Sequence, residues 1–530
     1  MKKTFYIMVG VILLFSLVLS ACGTTITTTT SPTSKPAATT TAATTLAKQY
    51  GGNFSFIDPR GPARTIGWLA ESGAAGGMFQ MCMIENVLDC DVFGKITPML
   101  ATEWKVADDL SSITLKIRQG VKFHDGSDLT AEVVKWNIDM DIAAKLTSYA
   151  QWASVDLVDS STIKINLKSF ENTILNTLAS TAIVSKAAYD KAGGGQAGAD
   201  ALRWNPVGTG PFKFVSWERD VSIKMAKFSD YWQKGKPYVD TIEFKIVADP
   251  MTRSVAFLAG QTDAIGGDLT KVEYDLAQKG YPVVSVVAGA VCMIGDSANP
   301  DSPFANAKVR QALDYAVDAS AIVKARGFGW WEVVNQFCPP ASPAYIKDLP
   351  TRSYNPDKAK QLLTEAGYPT GFKTKLIADS ASTDKDAVTA MQGFLSKVGI
   401  DAELNFIDNA SYLSFRTGGW KNALLVGAVG FDANLNSSFS RYYVQNASNY
   451  PSMLKTDEFQ QLYIQSRQSK EYDLAKVQKM IRYLFDNALV TPLYAIKRGD
   501  VLQTYVHDTG FYTKQAWPGW NPADVWLSKK

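Results

Sequence analysis

The stretch Thr114–Asp139, TLKIRQGVKFHDGSDLTAEVVKWNID, constrains this chain more than any other. Its first residues alternate, Thr114-Leu115-Lys116-Ile117-Arg118, so one face of a strand meets a core and the other meets water. Gly120 ends that strand. Asp125-Gly126 marks a turn, because glycine takes positive φ at no steric cost. Thr130 is placed to cap a helix through its hydroxyl. Glu132 then falls in the first helical turn, where a negative charge suits the dipole. The stretch predicts strand, turn and helix in immediate succession.

The same residues, Arg118-x-Gly120-Val121-Lys122-Phe123-His124-Asp125-Gly126-x-x-Leu129-Thr130-Ala131-Glu132-x-Val134, resemble the signature segment of the family 5 extracellular solute-binding proteins. These are the peptide, nickel and oligosaccharide receptors of ABC importers. Val133 stands where that family commonly has a second acidic residue. Further segments carry the resemblance: Ile84–Leu88, Gly94–Trp104, the Gly208-Thr209-Gly210-Pro211-Phe212 run, Tyr231–Asp240, Pro303–Leu313 and Tyr354–Gly367. Counterparts extend from Gly51 to Trp526. The resemblance implies an α/β fold of the type II periplasmic-binding-protein kind (cluster C), with two hinged lobes and a smaller third. The implied division is 49–84, 205–298 and 499–530 for lobe I, 85–204 for small lobe II, and 299–498 for lobe III. Hinged closure on a small ligand, delivery to an ABC permease, a monomer and no enzymatic step are the matching functional expectations.

Residues 1–21 read as an export signal. Lys2 and Lys3 precede the apolar run Ile7–Leu19, which ends in the small residues Ser20-Ala21. That run is short of the roughly 20 residues that a spanning helix needs. Leu19-Ser20-Ala21-Cys22 resembles the lipobox of bacterial lipoproteins, which implies lipid attachment at Cys22. Residues 22–48 are rich in Thr, Ser, Pro and Ala and cannot bury enough surface to offset their ordering entropy, so they read as a tether. The expected place of work is outside the cytoplasm, anchored to the outer face of the cytoplasmic membrane or on the periplasmic side.

About 480 residues remain, too many for one core and enough for two or three lobes. Without Lys2 and Lys3 the chain carries 52 basic and 51 acidic residues, against 54 and 51 in the full sequence. Near-neutrality provides no basic field for nucleic acid. The only histidines are His124 and His507, which excludes a multi-histidine metal site and leaves little for a Ser-His-Asp triad. Both are expected to be structural, and neither a metal nor a cofactor is expected. A hydrolase using paired carboxylates at about 5 or 6.5–9.5 Å is the rival class. No nucleophile motif supports it.

Cys82, Cys90, Cys292 and Cys338 allow three disulfide pairings, or none. A continuous helix between Cys82 and Cys90 would separate their Cα atoms by about 12 Å, whereas a disulfide tolerates at most about 7 Å. A bond between them requires the chain to turn back near Asp89. Gly193–Gly198 satisfies Gly-x-Gly-x-x-Gly formally, but a helix-like Lys186–Lys191 precedes it where a dinucleotide site needs a strand. It is expected to be a surface loop.

Ala423–Val429 is a short apolar run that reads as a buried strand ending at Phe431-Asp432. In peptide-binding relatives the corresponding strand leads to an aspartate that pairs with the peptide's α-ammonium group. Asp432 matches that position and Phe439 a later aromatic, while Leu435-Asn436 stands where Asp-Pro is common. Phe431, Trp420, Tyr442 and Tyr443 are candidates for the pocket wall, with core packing as the alternative for each. Oligopeptide is the expected ligand. Oligosaccharide is the alternative, because tryptophan and tyrosine faces suit sugar rings.

Overall fold

The structure is a computed structural model that describes residues 46–62, 65–68, 77–514 and 519–528. The segments read as an export signal and a lipobox, Cys22 included, and nearly all of the segment read as a tether lie outside the described residues.

The stretch Thr114–Asp139 folds as its pattern dictates. Ser112–Ile117 is a strand, Gly126 takes φ +87°, and Asp125 Oδ1 accepts from the Ser127 backbone at 3.0 Å. Ala131–Ala143 is a helix whose cap is Thr130, accepting from the Val133 N–H. The strand sits inside an antiparallel four-stranded sheet in the order Ala101–Val106, Ser112–Ile117, Thr162–Leu167, Trp152–Asp159. The last two form a hairpin that turns at Ser160-Ser161. Leu115, Ile117, Phe123, Val134 and Ile138 share one buried cluster there.

The main sheet has eleven strands. One half runs Phe212–Glu218, Ser222–Lys227, Thr241–Ile246, Asn53–Asp58, Ala264–Asp268. The other half is the parallel trio Leu424–Gly430, Phe372–Asp379, Ile400–Ile407. Between them lie two long antiparallel strands, Val283–Gly295 and Thr491–Leu502. Among the described residues, the chain passes between the halves along these two strands alone. Their pairing is irregular between Val287 and Gly289.

Period-2 alternation gives each half two apolar faces. In the second half Leu424, Val426, Leu376 and Ala378 fill one cluster, and Leu425, Val429 and Ile377 fill the other. In the first half Phe54, Phe56, Phe244 and Leu502 face one way, with Ile57, Ile265 and Val501 opposite.

The four-stranded unit is fixed to the first half through Glu85. This buried carboxylate accepts from Tyr231 Oη at 2.7 Å and from Thr209 Oγ1 and Trp232 Nε1 at 2.8 Å. Thr209 reaches it because Gly208 and Gly210 let the backbone press close. A Cβ at Gly210 would stand 2.7 Å from Cys82 O. Burial pushes the Glu85 carboxyl up to about 7 against the pull of its three donors.

One expectation needs correcting. Gly195–Trp204 is a helix, not a loop. Its glycines permit the positive φ of Gly193 and Gly194 just before it, and Gly198 lies against the Tyr189 ring, where a Cβ would meet Cδ2 at 2.6 Å. The helix Lys186–Lys191 precedes it, so no strand feeds a phosphate loop. The four cysteines left open for pairing are free thiols, all buried.

Candidate functional site

The parallel strands of both halves point their carboxyl ends toward the middle of the crossing strands. Asn53–Asp58 and Ala264–Asp268 end at Asp58 and Asp268 on one side. Leu424–Gly430 ends just before Phe431-Asp432 on the other. In the ladder, Asp268 pairs with Arg498 and Gly430 pairs with Gly289, so the two ends meet across residues 496–498 and 287–289. Ligands in α/β sheets bind in crevices outside carboxyl strand ends where the connectivity switches. That crevice is the candidate site.

Its first wall is ionic. Asp268 accepts from Arg498 Nε. Asp58 accepts from the Arg60 backbone N–H at 2.7 Å. Desolvation raises Asp58 to about 6, although Arg60, Arg253 and Arg498 pull the other way. Next to them, on the return strand, Asp500 is 1% exposed. Its Oδ1 accepts from Tyr512 Oη at 3.1 Å, while Oδ2 is buried without a partner. Burial, and secondarily the charge of Asp58, hold its carboxyl well above the usual range. Gly266 makes this arrangement possible: a Cβ there would stand 2.5 Å from Asp500 Oδ1.

The second wall carries Asp432. Its side chain is 24% exposed and forms an ion pair with Arg441, itself 40% exposed. Ser438 Oγ accepts from the Asp432 N–H and donates to Asp432 Oδ2, both at 2.8 Å. Both of these side-chain contacts use Oδ2. Asp432 therefore presents a carboxylate oriented by the first turns of the helix Leu435–Tyr442. Neighbouring Phe431 is half-buried, with its ring 5.0 Å from Phe337.

The other aromatic candidates are core residues. Phe439, Tyr442 and Tyr443 surround the Phe337 ring at 6.1, 6.1 and 5.0 Å and are buried. Trp420 precedes the strand Leu424–Gly430, at the end opposite Asp432. Its indole donates to Ala423 O at 3.1 Å, and its ring meets Tyr450 edge-on. Of the sequence-predicted set, only Phe431 and Asp432 come together at the crevice with surface to offer.

Asp58, Asp268, Arg498, Asp500 and Arg441 were not singled out from the sequence. The Asp58-Pro59 step after an alternating strand was the one local signal available. His124 and His507 are structural, as expected: His124 Nε2 contacts Gly210 O at 2.9 Å, and His507 Nε2 contacts Ser528 Oγ at 2.7 Å. Burial lowers His124 to about 4. Among the described residues no group of three or more His, Cys, Asp or Glu is gathered to hold a metal, and no helix is long and apolar enough to cross a membrane.

A family model described as "Bacterial extracellular solute-binding proteins, family 5 Middle" matches residues 95–450. The glutathione-binding protein GsiB of Escherichia coli strain K12 is 33% identical over 367 residues, covering 68% of this chain and 68% of that protein. Among solved structures, the ABC transporter-associated periplasmic binding protein DppA from Helicobacter pylori, in complex with peptide STSA, superposes with a TM-score of 0.76 at 23% identity. It covers 91% of this chain and 99% of its own. The oligopeptide-binding protein AppA from Bacillus subtilis, in complex with a nonapeptide, gives 0.73 at 23% identity, over 91% of this chain and all of that one. These superpositions show the type II periplasmic-binding-protein fold.

Proposed function

As the chain belongs to the family 5 bacterial extracellular solute-binding proteins, which are transport binding proteins and not enzymes, we propose that it captures short peptides outside the cytoplasm and delivers them to an ABC permease. The observation that carries the choice of ligand is the 33% identity to a glutathione-binding protein over 68% of both chains. The crevice supports the same reading. Opposed ionic groups, Asp432 and Arg441 on one wall and Asp58, Asp268 and Arg498 on the other, suit a small molecule carrying separated positive and negative ends. A neutral sugar offers these groups neither charged end. Asp432 is the partner we assign to the ligand's α-ammonium group, with Phe431 beside it.

Capture works without chemistry. The lobes divide as 49–84, 205–298 and 499–530 against 299–498, with 85–204 as the small lobe. They rotate about the crossing strands near residues 287–289 and 496–498. Ligand bound between them favours the closed form, which the permease recognises. Lipid at Cys22 and the tether 22–48 hold the protein at the membrane, and it acts as a monomer. Calorimetric titration with glutathione, with tri- and tetrapeptides, and with cellooligosaccharides tests the assignment. Binding of a peptide is expected; binding of the sugars with no peptide bound would overturn it.

A further inference from the structure

Four asparagines meet outside the crevice, where the four-stranded unit touches the second half. The Asn172 backbone N–H donates to Arg467 O at 2.7 Å, and its side-chain amide donates to Ser466 O at 2.8 Å. Its Oδ1 accepts from Asn436 Nδ2 at 3.1 Å, and its backbone oxygen lies 3.4 Å from Asn434 Nδ2. Asn434 Nδ2 also reaches Asn176 Oδ1 at 3.3 Å. Beside them Arg467 Nη1 pairs with Glu171 Oε1 at 2.7 Å. Asn172, Asn176, Asn434 and Asn436 are 7, 7, 3 and 0% exposed.

The two sides of this seam belong to bodies that, among the described residues, the chain joins only along the crossing strands. Residues 171–176 ride on the unit that Glu85 and the Asp89–Lys514 ion pair fix to the first half. Residues 434–436 and 466–467 belong to the second half. Rotation that opens the crevice must therefore pull the asparagines apart. The seam is also built for separation. Neutral amides exchange protein partners for water at little net cost. Asn436 Oδ1, Ser466 Oγ and Arg467 Nε are buried with no protein partner, so opening the seam breaks no protein hydrogen bond at these atoms.

We propose that the Asn172–Asn176–Asn434–Asn436 cluster is the latch of the closed form: affinity-determining residues that touch no ligand and act by setting how long the crevice stays shut. The inference rests on the hinged-capture reading, but not on which ligand is captured. Observed affinity scales with the fraction of protein in the binding-competent closed form, so weakening the latch weakens retention of any ligand. Asn434 and Asn436 follow Asp432 by two and four residues, so the latch closes directly beside the assigned ammonium partner.

Two experiments on the full chain test this. In the first, Asn172→Cys and Asn436→Cys are combined in a Cys22→Ser background and bridged by a short bifunctional thiol reagent; Cys82, Cys90, Cys292 and Cys338 are buried and out of reach. Scattering from the bridged protein should give a smaller radius of gyration than the unbridged protein without ligand. An unchanged radius would show a permanent contact and overturn the proposal. In the second, Asn172→Ala should leave the melting temperature of the ligand-free protein unchanged and speed release of bound glutathione about tenfold, with association unaltered, the size expected for losing a few modest hydrogen bonds. A lower melting temperature with unchanged release would mark the cluster as structural. If glutathione does not bind, the ligand assignment fails, and the bridging result still decides the latch.

Discussion

Asp432→Asn is the substitution that bears most directly on ligand chemistry. Asparagine keeps the side-chain shape, and its Oδ1 can still accept from Ser438 Oγ, so the start of the helix Leu435–Tyr442 should hold. What disappears is the negative charge. In the present geometry Oδ2 is occupied by Ser438 and Arg441, which leaves Oδ1 to meet an incoming ammonium group. A charge-assisted hydrogen bond of that kind contributes roughly 1.5–3 kcal/mol when desolvated. Asp432 is 24% exposed, and Arg441 already neutralises part of its field, so the lower end of that range applies. At about 1.4 kcal/mol per decade, affinity for a peptide with a free N-terminus should fall about tenfold. Isothermal titration with a tripeptide and its N-acetylated form, on both proteins, reads this out. Acetylation should weaken wild-type binding by a similar factor and leave the variant nearly unaffected. Arg441→Gln gives the converse: with its competitor gone, Asp432 should hold the ammonium more tightly. The reasoning is refuted if wild type and Asp432→Asn bind the free and acetylated peptides equally well.

Other outcomes follow from separate features. Glu85 ionises near 4.5 in an ordinary environment but only at about 7 in the fold. Its contribution to stability should therefore be complete below pH 4.5, fall as pH rises toward 7 and be flat above. Its size is about 3 kcal/mol at 1.36 kcal/mol per unit. Urea midpoints measured from pH 4.5 to 7.5 should drop less steeply in Glu85→Gln than in wild type, and parallel curves would count against the assignment. Ligand should shift tryptophan emission and reduce the radius of gyration, because closure buries surface near the crossing strands; binding without compaction would contradict hinged capture. Cys22→Ala should release the protein from membranes or block its processing, and a processed, membrane-bound variant would remove the lipid anchor from the proposal.

Local patterns determined much of this protein. Alternation at Thr114–Arg118, the Asp125-Gly126 turn and the Thr130 cap act over a few residues, so the sequence alone fixes strand, turn and helix there. The long ordered motif around them carried the family, and with it the fold. Two histidines in 530 residues were enough to set aside imidazole chemistry before any geometry was known.

Other features were decided by partners far away in the chain. Gly195–Trp204 is glycine-rich and weak as an isolated helix, but it forms because Gly198 can lie against Tyr189 and because Ala199 and Leu202 are buried. Phe439, Tyr442, Tyr443 and Trp420 look the same in sequence whether they line a cavity or fill a core; the Phe337 and Tyr450 rings decide for the core. Asp500 follows Lys497-Arg498-Gly499, a context that reads as an exposed charge and does not announce a buried acid; Gly266 makes room for it and Tyr512 donates to it. The asparagine cluster joins residues 262 and 264 positions apart. A side chain's local pattern says which face of its own element it occupies. What stands opposite that face depends on how the halves are laid against each other, and only the tertiary structure holds that information.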